Sequence, residues 1–436
     1  MSKAGVGTFV LEDHEQASSG LDLFSGPQID MSLNHGKTLT IYPSSTLTDN
    51  GPFDFIVPND GQDFIDLPYT RLNGCIEITK KDGSAITDTE VVSFCNLLPQ
   101  SIFRQLEVSI NNQQISDLST PTYAYKSYIE TLLTFPDEVK KTILVLEHFT
   151  KDTLGLENSN KLTTASFALR HAQIKKGKIY FSMLLHSDFF HSNKLLLPGC
   201  ELKLKFIRSE DNFSLMCDTS IGKIKIHDLT LNVRKITVEP AIVDRIESVL
   251  SSDKPAIYPI AQSRIKTFTL SKDSKNERVN NVFRGILPRS VIVTFVNTKA
   301  YDGDITQNPF CFSPFDLNSF QAYINGTPVL GEPFQPDFDK NNFYREYRWF
   351  MDNLGWAHDM NSNGVTMEEY KTNSFFLPFD LSPDFTNGAS MSPIKEGSVD
   401  FHVGFSKNLP HNVTMIVYAT FNEILAIDKE RNITIT

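Results

Sequence analysis

No Cys-X-X-Cys pair occurs anywhere in this 436-residue chain, and its five cysteines (Cys75, Cys95, Cys200, Cys217 and Cys311) are odd in number and far apart. That pattern excludes compact zinc frameworks and a disulfide-stapled scaffold, and reads as free, mostly buried thiols in a reducing compartment. Long hydrophobic runs are missing as well. No stretch approaches eighteen consecutive apolar residues, and the N-terminus carries no apolar signal core. The expectation is a chain made in the cytosol, with no transmembrane segment. Without a leader, the Asn-X-Ser/Thr triplets at Asn212, Asn325, Asn412 and Asn432 carry no glycosylation signal.

Positive charge is also scarce. The chain has 41 Lys and Arg against 52 Asp and Glu, a formal net charge of -11. A surface that wraps nucleic acid needs clustered Lys and Arg, so no direct sequence-specific nucleic-acid binding is expected. The first thirty residues carry Glu12, Asp13, Glu15, Asp22 and Asp30 against Lys3, which excludes a basic genome-binding arm at that end. Catalytic signatures are lacking too. There is no Gly-X-Ser-X-Gly, His-Glu-X-X-His, His-X-His or Walker-type lysine loop, and Gly5 and Gly7 have neither a preceding strand nor a third glycine. The expectation is therefore no catalytic residues, no cofactor and no enzyme activity.

What is abundant is phenylalanine, 33 against 2 Trp. Phe is a large core filler with no polar handle. It appears in short alternating segments punctuated by Gly, Pro, Asn and Asp: Thr38–Tyr42, Phe53–Val57, Gly74–Thr79, Leu106–Ile110, Lys178–Leu184, Leu202–Phe206, Ile224–Val233, Ile265–Leu270, Ser290–Val296, Val399–Phe405 and Asn412–Phe421. Leu202–Phe206 alternates Leu/Lys/Leu/Lys/Phe, the period-two mark of a strand with one wet face. Helical periodicity is confined to Tyr123–Phe135, Asp137–Leu146 and Asn341–Leu354.

These segments repeat. Phe103–Asn112 (FRQLEVSINN) and Phe320–Gly326 (FQAYING) each join an aromatic-led strand to an Asn-rich hairpin turn. Each is followed by an aromatic-rich helix, Tyr123–Phe135 or Asn341–Leu354. Next comes an apolar strand, Ile179–Leu185 or Ser374–Phe379, with a downstream Asp-Phe at Asp188-Phe189 or Asp384-Phe385. A Gly then opens a strand ending in Phe, Gly199 to Phe206 or Gly397 to Phe405. The last matches lie roughly 200 residues apart, as in a tandem duplication. The expected fold is all-β with few inserted helices: a tandem double jelly roll of two eight-stranded β-sandwich domains. The expected division is an N-terminal arm (1–34), a first jelly roll (35–238), a linker interrupted by Pro240, Pro255 and Pro259 (239–262), a second jelly roll (263–428) and a C-terminal tail (429–436).

Several segments resemble the double jelly-roll major capsid protein of Polinton (Maverick) elements and adintoviruses. They are FIDLPYTRLNGCIEITKKDG (64–83), LLPQSIFRQLEVSINNQQIS (97–116), TYAYKSYIETLLTF (122–135), FFHSNKLLLPGCELKLKFIRSEDNFSLM (189–216), NPFCFSPFDLNSFQAYINGTPV (308–329), FFLPFDLSPDF (375–385) and VYATFNEILAIDKERNI (417–433). The resemblance spans residue 35 or so to the C-terminus. It implies a homotrimer forming a pseudo-hexameric capsomer. Such capsomers tile an icosahedral, DNA-enclosing virion shell, in contact with neighbouring capsomers and with penton and minor capsid proteins. It implies a virion location after synthesis in the host cytoplasm, with assembly in the nucleus. Tyr123, Tyr125, Tyr128 and Phe135 are then packing residues of the inserted helix, and Asn111-Asn112 and Asn325-Gly326 are hairpin turns. The alternative is a receptor- or glycan-binding jelly roll on a virion surface, which needs an exposed aromatic platform. Its two candidate tryptophans, Trp349 and Trp356, fall in or beside an expected core-facing helix.

Four constellations remain. Asp359, Asn361 and Asn363, followed by Gly364 and Glu369, imitate the opening of a calcium loop. The position that should carry the bidentate Glu is Tyr370, and Thr366 with Glu369 fits a helix capping box instead, so no metal site is assigned. His186 and His191 flank Asp188 at a spacing unsuited to one metal. Arg170, Lys175, Lys176 and Lys178 form a basic cluster that reads as a solvated loop. Phe9, Val10, Leu11, Leu21, Leu23 and Phe24 dot the otherwise polar arm, a composition suited to ordering against a neighbouring subunit.

Overall fold

The computed structural model describes residues 31–436 apart from 60, 89, 118–120, 220–221, 360, 383–390 and 392. Among the described residues sixteen strands build the paths of four antiparallel sheets; Ile433–Ile435 adds a short strand beside Val413–Ile427, and Val92–Phe94 pairs with Leu215–Cys217 as a separate ribbon. In the first half they are β1 (Leu33–Ile41), β2 (Phe53–Val57), β3 (Phe64–Lys80), β4 (Phe103–Ile110), β5 (Gln113–Gln114), β6 (Lys178–Leu184), β7 (Leu202–Arg208) and β8 (Gly222–Val238). In the second half they are β9 (Ala256–Leu270), β10 (Asn276–Ile286), β11 (Ser290–Asn297), β12 (Leu317–Ile324), β13 (Thr327–Pro328), β14 (Leu377–Asp380), β15 (Glu396–Phe405) and β16 (Val413–Ile427). The first half orders its sheets β1-β8-β3-β6 and β2-β7-β4-β5, and the second β9-β16-β11-β14 and β10-β15-β12-β13. Adding eight to every label of the first half gives the second. The sequence repeat is therefore a repeat of topology, and each pair of sheets closes over its own core as a jelly roll.

Local chemistry explains the strands. In β7, Leu202, Leu204 and Phe206 are buried while Lys203 and Lys205 lie on the wetter face, so strict alternation packs one side. Asn111 and Asn112 (φ 47° and 67°) turn β4 into β5, and Asn325 and Gly326 (φ 51° and 77°) turn β12 into β13. These left-handed pairs match the twist of a two-residue hairpin. The repeated elements occupy equivalent places: β4 matches β12, β6 matches β14 and β7 matches β15. Asp384 and Phe385, partners of Asp188 and Phe189 in the sequence repeat, lie outside the described residues.

The longer helices are α1 (Tyr123–Thr134), α2 (Asp137–Lys141), α3 (Ala165–Ile174), α4 (Pro240–Ser251), α5 (Tyr344–Asn353) and α6 (Met367–Thr372). The helix expected over Asp137–Leu146 breaks after α2. Thr142 leaves helical geometry (φ −113°, ψ −83°), its hydroxyl bonds back to the Glu138 carbonyl, and a 3₁₀ turn, Ile143–Glu147, follows. The segment 239–262 is also more regular than its prolines suggest. Pro240 sits in the first turn of α4, where its missing N–H costs nothing. Pro259 lies in β9, an edge strand, where a proline need not donate to a second neighbour.

The two cores interlock. Tyr125, Tyr128, Ile129, Leu132 and Leu133 of α1 are buried in the second half's core, with Phe135 packed partly buried against it. Tyr128 stacks on Phe310 with centroids 4.3 Å apart and planes 2° from parallel, and Tyr125 stacks on Tyr301. In return, Tyr258, Ile260, Leu425 and Ile427 bury their side chains in the first core.

Candidate functional site

Helix α1 carries apolar residues toward the second half and also aligns Lys126 and Glu130, one turn apart, with the turn Asp188–His191. Lys126 Nζ lies 2.7 Å from Asp188 Oδ2. Ser263 of β9 donates to the same carboxylate from its backbone N (2.9 Å) and from Oγ (2.8 Å). Glu130 Oε2 meets His186 Nδ1 at 2.7 Å, and the Tyr418 hydroxyl of β16 donates to Glu130 Oε1 at 2.9 Å. Ser263 Oγ and the Tyr418 hydroxyl, 2.7 Å apart, close the ring. Four segments from both halves thus share one buried polar network.

Burial alone would raise the Glu130 carboxyl. Lys126 and His186 outweigh it and hold the group down to about 2. For Lys126, burial acts against the charge, and Asp188 and Glu130 overcome it to push the amine above its usual value. His191, edge-on to His186, is lowered by burial. Buried charges so arranged are costly to expose singly, because breaking such a pair costs about 3–5 kcal/mol. Every oxygen of Glu130 and Asp188 is engaged, so the arrangement acts as a latch between halves. Among the described residues no group of three or more His, Cys, Asp or Glu side chains is placed to hold a metal ion.

Carboxylate or amide oxygens of Asp359, Asn363 and Glu369 in the calcium-like loop are engaged elsewhere. Asp359 Oδ1 accepts from the Asn361 amide, and Asn363 Oδ1 from the Val365 amide. Glu369 completes the capping box with Thr366 and pairs with Lys151 at 2.8 Å. Two ammonium groups reach the loop's carbonyls: Lys140 Nζ donates to Asn363 O, and Lys151 Nζ to Gly364 O. The loop is tied to α2 and to the segment beyond the 3₁₀ turn by lysines.

The basic cluster does not hold together as a solvated loop. Arg170 lies on α3 with 2% exposure, paired with Asp152 at 2.6 Å and donating to Thr150 O. Lys175 pairs with Asp88, and Lys176 and Lys178 are exposed. Nearby, Ile143, Val145, Leu146, Leu169 and Tyr180 are exposed apolar side chains that sequence reasoning missed. Their periods look like ordinary helix and strand; only the break at Thr142 turns the aliphatic run outward. Both tryptophans serve internal contacts, Trp349 Nε1 donating to Pro378 O and Trp356 Nε1 to Leu133 O.

No family model matches the sequence. An uncharacterised protein of Caenorhabditis elegans is 22% identical over 396 residues, covering 88% of this chain and 92% of that protein. Solved structures give broader likeness. A chain of the Sputnik virophage aligns with TM-score 0.66 and 12% identity, covering 98% of this chain and 93% of its own. A chain of the PBCV-1 virus capsid aligns with TM-score 0.62 and 10% identity, covering 95% and 99%. The mavirus major capsid protein aligns with TM-score 0.53 and 10% identity, covering 98% and 96%. The fold is the double jelly roll of these capsid proteins.

Proposed function

We propose that this chain is a major capsid protein, a structural shell subunit with no enzymatic role. The observation that carries the reading is the end-to-end match of both jelly rolls and their junction to capsid chains, rather than to one sandwich in isolation. In this reading three chains form a pseudo-hexameric capsomer from six jelly rolls, and capsomers tile an icosahedral shell around a DNA genome, with penton and minor capsid proteins at its vertices and seams. Upright strands suit the role, since their edges can be covered between protomers. Residues 35–238 and 263–428 act as the two domains, with 1–34 as an arm, 239–262 as the connection and 429–436 as a tail. The site of action is the virion, after synthesis in the host cytoplasm.

The Polinton and adintovirus group is the proposed source. Support comes from the segments between 64 and 433 that resemble it, and from a relative assigned to an animal rather than to a virus. The receptor-binding alternative is disfavoured by the tryptophans, whose indole N–H groups are spent inside the fold. The solution mass by light scattering tests the proposal. A species of about 148 kDa, three times the 49.2 kDa chain, is expected. A monomer that persists at high concentration would overturn it.

A further inference from the structure

The strand β6 is the outer edge of its sheet, and the 3₁₀ turn Ile143–Glu147 closes that edge with side chains. Glu147 Oε1 accepts from the Leu184 amide at 2.9 Å, and His148 Nε2 lies 3.0 Å from the Tyr180 carbonyl oxygen. His148 Nδ1 meets Gln173 Oε1 of α3 at 2.8 Å, and Leu169 sits one turn before Gln173 on the same helix face. These bonds make neighbours of three elements whose outward apolar groups would otherwise seem scattered. Ile143, Val145, Leu146, Leu169 and Tyr180 are 62%, 53%, 57%, 58% and 69% exposed. Lone exposed apolar residues need no explanation, whereas a contiguous group of five marks a contact surface.

Lysines border it, Lys178 standing opposite Glu77 in the sheet. Lys141 and Lys175 are paired with Asp137 and Asp88, but Lys176 and Lys178 carry no ion pair among the described residues. Lys178 shares the outward face of β6 with Tyr180. A complement exists in the same chain. Residues 1–30 hold two apolar clusters, Phe9-Val10-Leu11 and Leu21 to Phe24, amid five acidic residues and one lysine.

Reach permits the contact. Leu33 pairs with Val238, whereas Tyr180 lies opposite Cys75, itself opposite Asp228, ten residues back along β8. At strand spacings this is about 33 Å along the sheet and about 14 Å across it. Thirty residues span up to about 100 Å when extended, enough for the patch of the same chain or of an adjacent copy.

We propose that the surface formed by Ile143, Val145, Leu146, Leu169 and Tyr180 is the docking site for residues 1–30 of this chain, in the same or a neighbouring copy. The apolar clusters cover the aliphatic turn and the tyrosine, and the acidic residues meet Lys176 and Lys178. The inference does not rest on the capsid reading, because the contact can be read on unassembled protein. The test replaces Tyr180 with p-benzoylphenylalanine in the full chain, irradiates it, and identifies cross-linked peptides by mass spectrometry. Adducts to peptides within residues 1–30 are expected, and adding Leu146→Asp with Leu169→Asp should cut their yield roughly tenfold while the circular dichroism spectrum stays unchanged. Adducts confined to residues 31–436, which would indicate contact between folded faces, would overturn the proposal. So would the absence of adducts, or an arm yield indifferent to the two aspartates.

Discussion

Gly74 sits on β3 where the sheet meets its core, and its lack of a side chain is a packing requirement. A Cβ there would come 2.5 Å from Phe181 and 2.8 Å from Leu229, both buried. Gly74→Ala is expected to cost about 1–3 kcal/mol, read as a lower urea midpoint with unchanged slope. Glu130 gives a pH-dependent counterpart. Its carboxyl is held down to about 2, so between the ordinary glutamate value of about 4.3 and that figure the unfolded chain binds more protons than the folded one. The stabilisation is therefore fully present above pH ~4.3 and is lost as pH falls toward ~2. Glu130→Gln should flatten the acid limb of a stability–pH curve relative to the unsubstituted chain; equal limbs would show that the latch carries no such linkage. Residue partners of this kind were invisible in the sequence. Glu130 and Tyr418 lie 288 positions apart, and no local pattern announces their pairing.

Elements were more legible than their roles. Alternation exposed the strands because burial on one face forces a period of two, and the Asn-Asn and Asn-Gly pairs marked hairpins because few residues tolerate positive φ. Helix α1 was readable from its aromatics, but its destination was not. The face that looks like packing for its own half enters the core of the other. Helix α4 was hidden because three prolines resemble a linker until Pro240 is placed at a helix start. Helix α3 was hidden inside a basic run whose Arg170 is an internal ion-pair partner. Because Tyr128 stacks on Phe310 across the junction, Tyr128→Ala is expected to cost about 3–5 kcal/mol. It should also split one calorimetric unfolding transition into two, as the halves lose their shared core. A single transition at an unchanged temperature would show that the helix does not couple them.

At the scale of the molecule, duplication was the most legible feature. Three of the repeated segments now occupy the same positions in sheets of identical order, a regularity that low sequence identity between the halves concealed only in part. The outer faces were the least legible, since surface residues answer to partners rather than to the core. In the proposed assembly two latched jelly rolls form one protomer of a three-protomer capsomer. Electron microscopy of the purified protein, with two-dimensional class averages of single particles and a search for closed shells, tests it most directly. Compact particles with a pseudo-hexagonal outline, six jelly-roll lobes around a threefold axis, alone or tiled into shells, are expected. Averages showing only two-lobed monomers, or assemblies without a threefold axis, would contradict it.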